Sequence, residues 1–234
     1  RRNTLRNPGR TAATAAALMI GLALVTFVAV LSNSMKASNR GAIEEQIAAD
    51  FVVTSQDGFT PFVAGAGEAA AQADGVELAT SVRAEVGKVA GIDKYVTGVE
   101  PDEIAQVYNF DWADGSDAVL ADLGRTGAIV DADFAEDHNL QVGDRFDFLS
   151  GSGRDTTLEV KATYDPPPFY QLLGSVSISK EKFDELHDRP RNQFTFINAE
   201  GGPTPAAQEP IDEALATFPD AKAQTREAWI TEQD

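Results

Sequence analysis

The chain has 234 residues, 43% of them apolar, no cysteine, and 37 acidic against 19 basic side chains, for a formal charge of −18. The missing cysteine excludes disulfides, thiolate chemistry and Cys-ligated zinc, and the excess acid argues against attraction to nucleic acid or anionic lipid surfaces. Thirteen Phe and an ordinary apolar share supply material for a sizeable core.

Residues 1–10 are a basic segment with Arg1, Arg2, Arg6 and Arg10 and no acid. Residues 11–31 carry no charge and, at the helical rise, span about 31 Å, the thickness of a bilayer's hydrocarbon core. This predicts a transmembrane helix; a cleaved signal peptide shares the basic start, but its apolar core is shorter, roughly 7–15 residues. The positive-inside rule puts residues 1–10 in the cytoplasm. Everything after about residue 32, with 15 basic and 37 acidic residues, is then extracytoplasmic at the cell membrane. Ala13, Ala17 and Gly21 recur every four residues, a stripe on which a second membrane helix can pack closely. Ala12, Ala15, Ala16 and Ala23 fill the other faces, so an alanine-rich helix without a packing face fits as well. The absence of an initiator Met before Arg1 predicts a fragment of a longer protein.

Residues 32–50 read as a helical stalk, with Ile43 and Ile47 on one face. FVVTS at residues 51–55 is a strand, residues 63–73 an alanine-rich helix stopped by Asp74-Gly75, and residues 76–89 a second strand. At the far end QFTFIN, residues 193–198, alternates with period two; a helix follows with Ile211, Ala214, Leu215 and Phe218 on one face, then a short strand at residues 221–225. Two β-α-β units about a hundred residues apart predict an α+β subdomain from residues 51–98 and 189–234, with a β-rich subdomain, residues 99–188, inserted. In the insert, residues 127–130 form a strand and Asp131 caps a helix running to His138, with Phe134 and Ala135 inward and Asn139 in a left-handed exit. Phe146 and Phe148 share one face of the next strand, and Leu158, Val160 and Ala162 one face of another.

These segments, GAIVDADFAEDHNLQVGDRFDF at 127–148, LEVKATYD from 158 and SVSISKEKFDEL at 175–186, with RNPGRTAATAAALMIGLALV at 6–25, resemble the periplasmic core domain and membrane-helix start of MacB/FtsX-type ABC transporter permeases. The resemblance spans nearly the whole chain and rests on the order of its segments. It implies an extracytoplasmic domain with a porter-like part and a barrel-like insert, whose membrane helices couple to a cytoplasmic ATP-binding subunit. ATP-driven dimerisation below the membrane would move the external domain in export or in lipid or lipoprotein handling. Membrane lipid and other permease helices, or a second permease copy, are the further partners implied. Family members continue past the point where this sequence ends, at Asp234, into further membrane helices. From another class, a single-pass anchored binding or sensor domain without a transport role fits topology and acidity equally.

No G-x-x-x-x-G-K-S/T phosphate loop is present, so the ATPase is a separate chain, and no cofactor or catalytic site is expected. His138 and His187 each sit near a helix end beside carboxylates, where solvated ends are the simpler reading than a metal or acid-base site. Asp111, Asp114 and Asp117 lack calcium-loop spacing because Ala113 and Gly115 occupy two ligand positions. After the three prolines of DPPPFYQLL, Phe169, Tyr170, Leu172 and Leu173 form an apolar cluster: a contact patch for a partner or lipidic substrate if exposed, closure of the insert if buried.

Overall fold

The computed structural model describes residues 8–167 and 172–233. It divides into two compact units after Gly41. Helix α1, Pro8–Gln46, supplies the described part of the first unit. Its apolar side chains are bare there: Leu18, Leu22, Phe27 and Val30 are 59–70% exposed. The helix is long and apolar enough to cross a membrane. That much unpartnered hydrocarbon suits lipid, where it costs nothing, and not water.

The second unit, from Ala42, is mixed α+β around one eleven-stranded sheet. Strand β1 (Phe51–Ser55), β2 (Phe62–Val63), helix α2 (Ala64–Ala71) and the long β3 (Val76–Val89) come first. Ala90 and Gly91, both at positive φ, turn the chain into β4 (Ile92–Val99), since a two-residue hairpin that follows strand twist needs left-handed residues at its centre. Then follow β5 (Trp112–Asp114), β6 (Gly127–Asp131), α3 (Ala132–Asp137), β7 (Arg145–Leu149), β8 (Asp155–Tyr164), β9 (Val176–Ser179) and α4 (Lys180–Leu186). The last elements are β10 (Arg191–Ala199), α5 (Pro205–Leu215), β11 (Ala221–Thr225) and α6 (Arg226–Glu232).

The units β1-α2-β3 and β10-α5-β11 interleave. Strand β10 lies antiparallel between β1 and β3, and β1 lies antiparallel between β10 and β11. Both helices cover one face, where Phe51, Val53, Ala66, Ile197, Ile211 and Leu215 pack together. Helix α2 comes close enough that a Cβ on Gly67 would overlap the side chains of Asn192, Thr195 and Ser81. The alternation in QFTFIN implies one wet face, yet β10 is buried on both: Ile197 faces the helices, while Phe194 and Phe196 join a second cluster on the other side.

Six strands close on themselves. Strand β3 pairs with β4, β4 with β9, β9 with β6, β6 with β8, β8 with β7, and β7 returns to β3. Val96, Val130, Phe146, Phe148, Leu158, Val160, Ile178 and Phe183 fill the interior of this barrel. Alternation places the strand residues there, because successive side chains of a strand point to opposite faces, while Phe183 enters from helix α4. Asp131 caps α3 by accepting hydrogen bonds from the backbone N–H of Asp133 and Phe134, and Asn139 leaves it at φ 53°, both as the sequence predicts. Strand β3 is common to both parts, its first half paired with β10 and its second with β4.

Candidate functional site

The last turn of α1, from Ala42, is built into the folded domain. Ile43 and Ile47, one helical turn apart, are 0% and 1% exposed in a core with Val52, Val107, Tyr108, Phe194 and Trp229. A helix leaves its final carbonyls without intrahelical donors, and here those of Glu45, Gln46 and the following Ile47 find other partners. Asn109 donates through Nδ2 to the Glu45 carbonyl at 2.8 Å and through its backbone N–H to the Gln46 carbonyl at 2.7 Å. Arg226 Nη1 donates to the Ile47 carbonyl at 2.8 Å, so a cation sits at the negative end of the helix dipole. The Tyr108 hydroxyl donates to Gln46 Oε1 at 2.9 Å, and burial pushes its phenol well above the usual range. This arrangement carries no nucleophile, base or oxyanion donor set. It is a clamp on a helix end.

Beside it lies a cleft of about 540 Å3 with Glu45, Asp111, Asp165, Pro166 and Pro167 on its walls. Partial burial, and then the neighbouring Asp111, Asp133 and Asp131, raise the Asp165 carboxyl above its ordinary pKa.

Ala13, Ala17 and Gly21 lie exposed along α1. Leu172 and Leu173 are each 1% exposed and pack in the same core as Tyr108 and Trp229, so at these two positions the buried alternative holds and there is no contact patch. Their side chains supply hydrocarbon that this core needs, so none is left at the surface. Phe169 and Tyr170 lie outside the described residues, as do Arg1, Arg2 and Arg6.

The histidines are not simply solvated helix ends. His187 is 3% exposed, stacked on Phe183 at 4.0 Å, with Nδ1 2.7 Å from the Phe183 carbonyl. His138 repeats this with Phe134, at 4.1 Å and 2.9 Å. In each short helix a histidine four residues after a phenylalanine covers the ring and brings Nδ1 within hydrogen-bond distance of that phenylalanine's carbonyl. Asp117 accepts a hydrogen bond from Trp112 Nε1 at 2.8 Å. Among the described residues, no three His, Asp or Glu side chains are placed to hold a metal ion.

Sequence reasoning located Ile43 and Ile47 on one helical face but missed Tyr108, Arg226 and Trp229, which complete the clamp. The two aromatics were the available signal: a Tyr in an otherwise irregular stretch and a Trp in an unassigned segment are large apolar bodies that usually find a core.

The model of the MacB-like periplasmic core domain family matches residues 11–214. No match to a curated protein is found. Among solved structures, the periplasmic region of MacB from Actinobacillus actinomycetemcomitans is similar at TM-score 0.54 and 8% identity, covering 82% of this chain and 94% of that one. The extracellular domain of the ABC-type transporter YknZ from Gram-positive bacteria is similar at TM-score 0.48 and 12% identity, covering 75% and 98%. The MacB region shares the fold, and the family match runs from the apolar helix through α5: this chain belongs to the family of MacB-like periplasmic core domains.

Proposed function

We propose that the chain is a membrane helix and extracytoplasmic domain of a MacB/FtsX-type ABC transporter permease, in which the helix passes motion to the domain. A separate cytoplasmic ATP-binding subunit would supply that motion, in export or in lipid or lipoprotein handling. The observation that carries the reading is the clamp. Residues 43–47 are held by core packing and four hydrogen bonds, whereas a passive tether needs only a flexible link.

In this reading residues 1–10 are cytoplasmic, α1 packs through Ala13, Ala17 and Gly21 on another permease helix or a second copy, and its remaining faces meet lipid. Phe169 and Tyr170 belong to a partner or substrate contact. Residues 51–98 with 189–234 act as the porter-like subdomain and residues 99–188 as its insert, with β3 as the strand through which a displacement at the clamp reaches both.

The test is a Gly-Ser linker inserted after Ser38 in the transporter that carries this chain. ATP hydrolysis by the partner is expected to stay within about twofold of wild type while transport or release is lost, because positioning needs stiffness and nucleotide chemistry does not. Wild-type transport with the linker in place would reduce α1 to an anchor.

A further inference from the structure

The domain from Ala42 onward carries 13 cationic side chains against 37 acidic ones. Nine of the cations lie within 4.0 Å of a carboxylate. Lys94 sits over the Phe134 ring and Arg226 on the Ile47 carbonyl. Of the thirteen, Arg189 and Arg191 are the two, among the described residues, with no ion pair, side-chain hydrogen bond or ring contact. Where acid outnumbers base almost threefold, two guanidiniums with no partner of any of these kinds are an anomaly, and both line one groove.

That groove has a volume of about 630 Å3, within the range of small-molecule sites. Its apolar wall is formed by Phe59, Pro61, Val86 and Tyr95. Val86 and Tyr95 face each other across the β3–β4 ladder and are 52% and 37% exposed; Phe59 is 65% exposed. Bare as it is, Phe59 is held in place. The Asp57 carboxylate accepts the Phe59 and Thr60 backbone N–H groups at 2.9 and 2.8 Å. Gln193 Nε2 donates to the Phe59 carbonyl at 3.0 Å, while Gln193 Oε1 accepts from the Tyr95 hydroxyl at 2.7 Å. The one acid on the wall, Glu85, has its carboxylate 3.5 Å from His187 Nε2.

We propose that this groove binds a soluble single-chain anionic amphiphile, its carboxylate or phosphate head forked between Arg189 and Arg191 and its hydrocarbon body against Phe59, Val86 and Tyr95. Guanidinium groups match such heads bidentately, and a fixed apolar wall spares the ordering cost of binding. Nine residues line the groove, far short of the 20–30 a side that a stable protein interface uses, which favours a small occupant over a protein. Occupancy requires nothing of an ATPase or of α1 and stands apart from the transport reading.

The full chain in phosphatidylcholine nanodiscs is titrated calorimetrically with octyl phosphate, octyl glucoside and inorganic phosphate, with empty nanodiscs as the blank for partitioning. Saturable one-to-one binding of octyl phosphate is expected, at least tenfold tighter than either of the others. The double variant Arg189→Ala/Arg191→Ala should weaken it tenfold or more with an unchanged melting temperature, since neither side chain has a partner to lose. Val86→Asp, at an exposed position, should weaken it similarly. Octyl glucoside binding equally well would leave only an apolar contact, and phosphate binding equally well only an anion site; either result overturns the proposal, as do absent binding and undiminished binding in the double variant.

Discussion

Asp57 shows how much order one exposed carboxylate can impose. It accepts hydrogen bonds from Thr60 Oγ1 at 2.6 Å, from the Thr60 and Phe59 backbone N–H groups and from Ser55 Oγ at 2.7 Å, in a turn that needs Gly58 at φ 77°. These bonds, the Thr60 hydroxyl first, hold its pKa far below the usual carboxylate range. A depressed folded pKa means the stabilisation is complete above the ordinary carboxylate pKa, near 4, and fades only as pH falls through the lowered value. The Phe59 turn is therefore expected to keep its protection from pH 8 down to pH 5. Asp57→Ala should speed amide exchange at Phe59 and Thr60 roughly tenfold at pH 7, with little change in global melting, read by hydrogen-exchange mass spectrometry. Equal exchange in the two proteins would show that Gln193 and Gly58 suffice to hold the turn. The same scale explains why the histidines were misjudged from sequence: adjacent carboxylates suggest solvent, whereas stacking on Phe134 and Phe183 is set by the i−4 position on each helix.

At the scale of elements, one helix lives in two environments. Ile43 fills core space next to Trp229, whereas Leu24 is 61% exposed. Ile43→Ala is expected to destabilise the domain by about 2–4 kcal/mol, the cost of lost burial plus a cavity. Leu24→Ala should leave the urea midpoint followed by tryptophan fluorescence unchanged. Much of the element order was legible. Strand β3 has the predicted bounds, and the Asp131 cap, Asn139 exit and inward Phe146 and Phe148 follow from local residue chemistry. What escaped is what tertiary context decides. Strand β4, IDKYVTGV, carries charge and glycine that weaken a strand signal, yet β3 and β9 pair it along both edges. Helix α6 carries Trp229 and Ile230 into the core that holds Ile43 and Ile47, a long-range contact that no local pattern announces. The groove was invisible because Phe59, Val86, Tyr95 and Arg191 come from four separate stretches of chain that only the sheet brings together.

Over the whole molecule, charge is partitioned along the sequence: no acid precedes Glu44, and a domain with 37 acids follows. Single cysteines at Asn3 and Ser116 report which side each end occupies. An impermeant thiol reagent on intact cells is expected to label position 116 and spare position 3, and neutralising Arg1, Arg2, Arg6 and Arg10 together should reduce that difference severalfold. Labelling at position 3 alone would invert the topology. The pairing of β1 with β11 has a mechanical consequence. Phe51 lies opposite Thr225 and Ser55 opposite Ala221, while the Arg226 N–H donates to the Asp50 carbonyl at 2.9 Å, so residues 50 and 226 sit at the same end of one antiparallel ladder. Displacing those two residues together puts no load on the ladder. Drawing them apart loads it end-on, as a zipper, so that the Arg226–Asp50 bond opens first, those at Phe51 next, and each rung afterwards faces the whole force alone. The domain thus behaves as a rigid body toward shared displacement and as a fuse toward separation, with β11 the strand that parts first.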